Sequence, residues 1–144
     1  MASFNKFYTF VADVANKVHN LSSDTLKIML TNSAPVATNA VNVDLTEITA
    51  QNGYAAGGTS VGITSSTQSS GTYKLIPSGN VVFTASGGSF GPFRYAVIYN
   101  STAGSDGTHR PLIGWWDYGS SLSVNSGDTF TVSLDGTNGI LQLT

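Results

Sequence analysis

The chain has 144 residues, a length that suits one domain, since domains cluster at roughly 100–150 residues and a core of that size supports itself. Charged residues make up 10% against about 25% in ordinary soluble proteins. The net charge is −2 and the six Lys and Arg are scattered singly, so no basic stripe exists to hold a phosphate backbone and nucleic acid is not expected as a partner. The absence of cysteine excludes disulfide scaffolds, thiolate zinc sites and a cysteine nucleophile together.

The first stretch, MASFNKFYTFVADVANKV, lacks the basic leader, apolar run and cleavage pattern of a secretory signal, and no run reaches the ~18 apolar residues of a membrane span. The expectation is a soluble chain made in a cytoplasm, with no membrane partner; if it leaves the cell, it does so by another route such as inside a particle. Phe4, Phe7, Tyr8, Val11, Val14, Ala15 and Val18 recur at the three-and-four spacing of one helix face. A helix over 4–18 with Ser3 as its N-cap is predicted. So short a helix must dock its aromatic face on the domain's own sheet or on a partner.

After a polar turn, Thr25 to Thr31 reads as a strand with Leu26, Ile28 and Leu30 inward and Lys27 outward. The stretch from Asn32 to Thr46 is irregular, and Pro35 removes a ladder donor within it. A connection of that length is either a covering flap or a functional loop. Together with the helix face it supplies the candidate interface residues Phe4, Phe7, Tyr8, Val36, Val41 and Val43. Val61 and Ile63 open another strand, Ser65 to Gly71 reads as an exposed polar hairpin loop, and Tyr73 and Leu75 resume alternation beyond it. Val81 to Ala85 is a further strand.

The chain is organised around Gly91 to Gly119. In its first arm Phe93, Tyr95, Val97 and Tyr99 alternate with Arg94, Ala96 and Ile98, and in its second Leu112, Gly114, Trp116 and Tyr118 alternate with Ile113, Trp115 and Asp117. Both tryptophans thus sit in one strand on opposite faces, which requires cover on each side. The candidate core is Phe93, Tyr95, Val97 and Trp116, joined by Phe130 and Val132 from the strand Thr129 to Leu134. A last strand runs from Ile140 to Leu143. The fold class is mainly β: a β-sandwich or small barrel of about eight or nine short antiparallel strands behind one N-terminal amphipathic helix, in a single domain over 1–144.

Reacting groups are scarce. The two histidines, His19 and His109, stand in no nucleophile elbow, and Asp117 is the one acid in an aromatic setting, where bonding a neighbouring strand is its ordinary role. Asp106 and Asp128 lie in turns that their own side chains stabilise, and the glycine-rich stretches lack the lysine of a phosphate cradle. Neither catalysis, nor a metal, nor a cofactor is expected. Trp115, Tyr99 and Tyr118 would suit stacking on sugar rings, with core or subunit contacts as the other reading.

The segments SDTLKIMLTNSAPVATN, DLTEITAQNGYAAGG, SSGTYKLIPSGNVVFTASGGSFGPFRYAVIYN and PLIGWWDYGSSLSVNSGDTFTVSLDGTNGILQLT resemble a family of small virion structural proteins of tailed bacteriophages, over nearly the whole chain from Phe4. Proteins of this kind resemble capsid decoration, or cement, proteins. That resemblance implies a homotrimer on the outside of the head, a phage major capsid protein as partner, assembly in the host cytoplasm and no active-site residues. A neck, tail or glycan-binding spike component is the alternative it leaves open.

Overall fold

The structure is a computed structural model that describes residues 2–104 and 106–144. Its strands are β1 (Asn5–Lys6), β2 (Leu26–Thr31), β3 (Thr59–Val61), β4 (Ile63–Ser69), β5 (Thr72–Pro77), β6 (Val81–Thr84), β7 (Phe90–Asn100), β8 (Leu112–Val124), β9 (Thr129–Val132) and β10 (Leu141–Leu143). One helix, α1 (Tyr8–Ala15), accompanies them. The fold is mainly β and every strand pairing is antiparallel. The largest sheet runs β1-β8-β7-β2-β3, beside smaller sheets β10-β5-β4 and β6-β9, and none closes into a barrel among the described residues.

The main core lies between these sheets in the manner of a sandwich. Leu26, Ile28 and Leu30 of β2, Phe93, Ala96 and Ile98 of β7 and Trp116 of β8 meet Leu75, Val81, Phe83, Val132 and Leu141 from the smaller sheets. The other face of the large sheet carries a second cluster, Met29, Val97, Tyr99 and Leu112, with Trp115 packed against it. It is closed by Phe7 from the N-terminal segment and Leu45 from the 32–46 connection. Both faces of the β7–β8 hairpin are therefore clad, as two tryptophans on opposite faces require.

Alternation alone misassigns the faces. Register shifts between Phe93 and Tyr95 on β7, and between Ile98 and Tyr99 where β8 carries an extra residue, interrupt the ladder. A bulge adds one residue to one strand and so moves everything beyond it to the opposite face. Across these irregularities, the first of which sets Leu122 and Asp117 opposite Phe93 and Tyr95, Phe93 joins the main core while Val97 and Tyr99 join the second cluster. Tyr95, expected in the core, is only half-buried and lies beside the Arg94 guanidinium, 5.3 Å from its ring centroid. Leu112 likewise lies across the sheet from Trp116 rather than beside it.

The helix is shorter than its hydrophobic period suggests. Asn5 and Lys6 enter the ladder opposite Trp115 and Gly114, so the chain is extended up to Phe7, which occupies the N-cap position with no side-chain capping bond. Ser3 is no cap. At the other end Lys17 turns left-handed at φ 65°, Val18 N donates to Asp13 O at 2.8 Å and Lys17 N to Val14 O at 3.3 Å. These paired bonds end a helix by satisfying its last carbonyls. The inward stripe is buried Phe7 and Phe10 with half-buried Val14, whereas Tyr8, Val11 and Val18 face solvent.

Two further differences concern β-structure. Ser65 to Ser69 is strand β4, because the turn is made by Ser70 and Gly71 alone, both left-handed at φ 50° and 82°. That is the two-residue turn whose twist matches a hairpin. Strand β8 also continues through polar Ser120 and Ser121 to Val124, six residues past the alternating aromatic stretch, and the described residues form ten strands where about eight or nine are expected, within the same mainly β, antiparallel class.

Candidate interface at the helix start and the 32–46 connection

The connection after β2 is fixed by backbone bonds to its neighbours. Tyr8 N donates to Ala37 O at 2.9 Å, Leu112 N to Ala40 O at 3.0 Å and Asn42 N to Arg110 O at 2.9 Å. These bonds lay it across the start of α1 and the start of β8. Its tip is a short 3-10 turn, Asn42–Asp44, where Asp44 Oδ2 accepts from Ala40 N at 2.8 Å and Val41 N at 3.1 Å. At its far end Glu47 Oε1 accepts from the Tyr54 hydroxyl at 2.6 Å and Gly57 N at 2.7 Å, while the same hydroxyl accepts from Leu30 N at 3.0 Å. Burial and the Glu47 bond push the Tyr54 phenol far above its ordinary pKa, so it stays a neutral donor.

The result is a fixed ledge with an apolar crest. Tyr8 is 68% exposed, Val11 55%, and Val36 and Val43 53% each. Of the six residues predicted for an interface, Tyr8, Val36 and Val43 are thus on the surface. Val41 is half-buried and bridges to Pro111, and Phe4 is half-buried with its ring 5.2 Å from that of Trp116. Phe7 does not belong to the set. It is fully buried, with its ring 4.5 Å from Trp115, because the short extended entry to α1 turns it inward. Val11, one helical turn beyond Tyr8, takes its place, and the three-residue spacing from Tyr8 is the signal that would have found it.

The groups that bear chemistry are each occupied structurally. Arg94 Nε and Nη2 donate to the two Asp117 oxygens at 2.7 and 2.9 Å, and Gly119 N adds a bond at 2.8 Å, which together hold the Asp117 carboxyl below its usual pKa. Asp106 accepts from Thr108 N at 2.9 Å and His109 N at 2.8 Å and also meets the His109 ring, so its carboxyl is likewise lowered within a loop. His19 is buried beneath Phe10, far along the chain from His109 and Asp117. Among the described residues no group of three or more His, Asp or Glu side chains could hold a metal ion.

The aromatic candidates divide in the same way. Tyr99 is buried and donates its hydroxyl to Gly57 O at 2.7 Å, and Trp115 is half-buried against Phe7. Tyr118 is the exposed one, at 57%, with its ring edge-on to Phe130 at 5.6 Å. No helix among the described residues is long and apolar enough to cross a membrane. Compared with known protein families, curated proteins and solved structures, the chain matches no family model, no curated protein and no solved structure.

Proposed function

We propose that this chain is a structural component of a tailed-phage virion, a capsid decoration protein that sits as a homotrimer on the capsid exterior and clamps adjacent major capsid subunits. The observation that carries the reading is the ledge of Tyr8, Val11, Val36 and Val43, four exposed apolar side chains on backbone that is already fixed by hydrogen bonds. A preformed apolar surface binds without the entropic cost of ordering a loop. With 10% charged residues, little electrostatic repulsion keeps copies apart. Several weak contacts made by one oligomer then add up to firm retention on a lattice through effective concentration. The chain turns over no substrate in this role.

Light scattering should give a trimer or a pair of trimers, and added protein should bind expanded capsids that lack it and prolong their survival on heating. The Tyr8→Asp/Val36→Asp variant should stay folded, because both positions are exposed, yet lose the trimer and the protection. A wild-type monomer that neither binds nor protects such capsids would move the assignment to a neck or tail component. A second reading, a spike component with a sugar stacked on Tyr118, is supported by that ring's exposure beside Trp116 and Phe130. Saturable binding on a glycan array, abolished by Tyr118→Ala, would select it.

A further inference from the structure

Strand β9 is one of the two borders of the smallest sheet, β6 being the other. Among the described residues it pairs with β6 alone. Asp128 O accepts from Ala85 N at 3.0 Å and Leu134 N donates to Asn80 Oδ1 at 2.9 Å. The even-numbered positions thus turn their backbone groups toward β6. By the alternation of an antiparallel ladder, Thr129, Thr131 and Ser133 turn their N–H and C=O groups outward, with no strand to receive them.

Against that border lies an apolar pocket of about 180 Å³ where Ala2 of the N-terminal segment, Ala96, Trp116 and Tyr118 meet the residues from Phe130 to Ser133. Phe130 is half-buried and Tyr118 exposed. Natural sheets blunt open borders with lysine, proline or a bulge. Strand β9 is itself short, at four residues, but the stretch Thr129 to Ser133 carries no lysine, proline or bulge, and its nearest charges are Asp128 and Asp135, one on each flank.

We infer that β9 is a self-association edge, through which two copies of this chain pair antiparallel about a two-fold axis at Thr131. The sequence is complementary to itself in that register. Thr131 faces Thr131 and exchanges both backbone bonds, Thr129 faces Ser133, and Phe130 of one copy faces Val132 of the other. Hydroxyl pairs and aromatic-to-β-branched pairs are the favourable cross-strand combinations. Asp128 and Asp135 remain outside the five paired residues, so no like charges are set opposite one another. The inward side chains of the second copy extend the cover over Trp116 and Tyr118, which a foreign charged peptide would not do. The contact is isologous, so it closes at two copies. It uses none of the residues of the Tyr8 ledge and does not rest on the virion reading.

The test is sedimentation velocity over a concentration series in the Tyr8→Asp/Val36→Asp background, which removes the ledge contact. That protein should dimerise. Adding Thr131→Lys, or separately Thr131→Glu, should abolish the dimer peak, because each copy then meets its own charge across the axis, and an equimolar mixture of the two should restore it. Thr131 is exposed, so neither change touches the core. As an independent check of register, Thr131→Cys should crosslink to itself under mild oxidation. The ~5.5 Å Cα separation of a hydrogen-bonded pair lies within disulfide reach. Thr129→Cys, which faces Ser133, should crosslink much more slowly. The inference is overturned if the parent variant is monomeric throughout, if the charged variants dimerise like the parent, if mixing restores nothing, or if the two cysteines crosslink equally fast.

Discussion

His19 shows how one side chain can tie stability to pH without any catalytic duty. Its Nδ1 accepts from Asn100 Nδ2 at 3.0 Å, and the same Asn100 nitrogen donates to Asp24 at 2.6 Å. Nε2 has no hydrogen-bond partner among the described residues, with Asp13 Oδ2 at 4.0 Å. Burial lowers the imidazole pKa, against the opposing pull of Asp13 and Asp24. The unfolded chain therefore takes up a proton near the ordinary value of about 6.5, where the folded chain still resists it. His19's contribution is complete above that value and is lost as the pH falls below it. The lowered carboxylates Asp106, Asp117 and Asp135 favour the folded state down to the ordinary carboxylate range near about 4, so their losses begin only at lower pH. The melting temperature should accordingly drop between pH 7.5 and 5.5, and His19→Gln should flatten that drop. An equal drop in both proteins would remove His19 from the account.

At the scale of the element, strand β8 depends on Trp116 and on what lies against it. Trp116 is 7% exposed, its ring meets Phe4, and a side chain at neighbouring Gly114 would run into the same phenylalanine. Truncating a buried tryptophan to alanine costs about 3–5 kcal/mol of the roughly 5–15 available to a domain. Trp116→Ala should melt far below the parent or be recovered insoluble, and calorimetry decides it. Trp116 was legible in the sequence because a strand with large aromatics on both faces must be covered on both. The residues on each side of it were less so. When both faces are apolar, hydrophobicity no longer alternates, so the bulges that send Phe93 one way and Val97 the other leave no mark in the pattern. The helix misled for a related reason: Tyr8 and Val11 fit the apolar stripe as well as Phe7 and Phe10 do, and only the extended entry at Asn5–Lys6 decides which stripe turns inward. Of the ledge, the composition of the connection was readable. The exposure of Val36 and Val43 was not, since it follows from bonds made to α1 and β8.

The whole molecule is threaded so that its ends and middle meet. Strand β1 pairs with β8, β2 with β7, and Phe7 shares a cluster with Leu112. Two of the pairings in the large sheet, β1 with β8 and β2 with β7, thus join distant parts of the chain and need long closures before they are rewarded, whereas β7 and β8 form a local hairpin. During synthesis the N-terminal segment and β2 emerge early, and β2, with only the short β3 on one edge, waits for its other neighbour until β7 has left the ribosome. A ribosome-bound chain stalled with Asn100 just exposed should be digested readily by protease, and one stalled after the C-terminal Thr144 has emerged should resist. A resistant product already present at Asn100 would show that β2 and β7 can stand without β8. The clad central hairpin thus completes this protein late: until β7 and β8 emerge, β3 is the one strand among the described residues that β2 has to lie against.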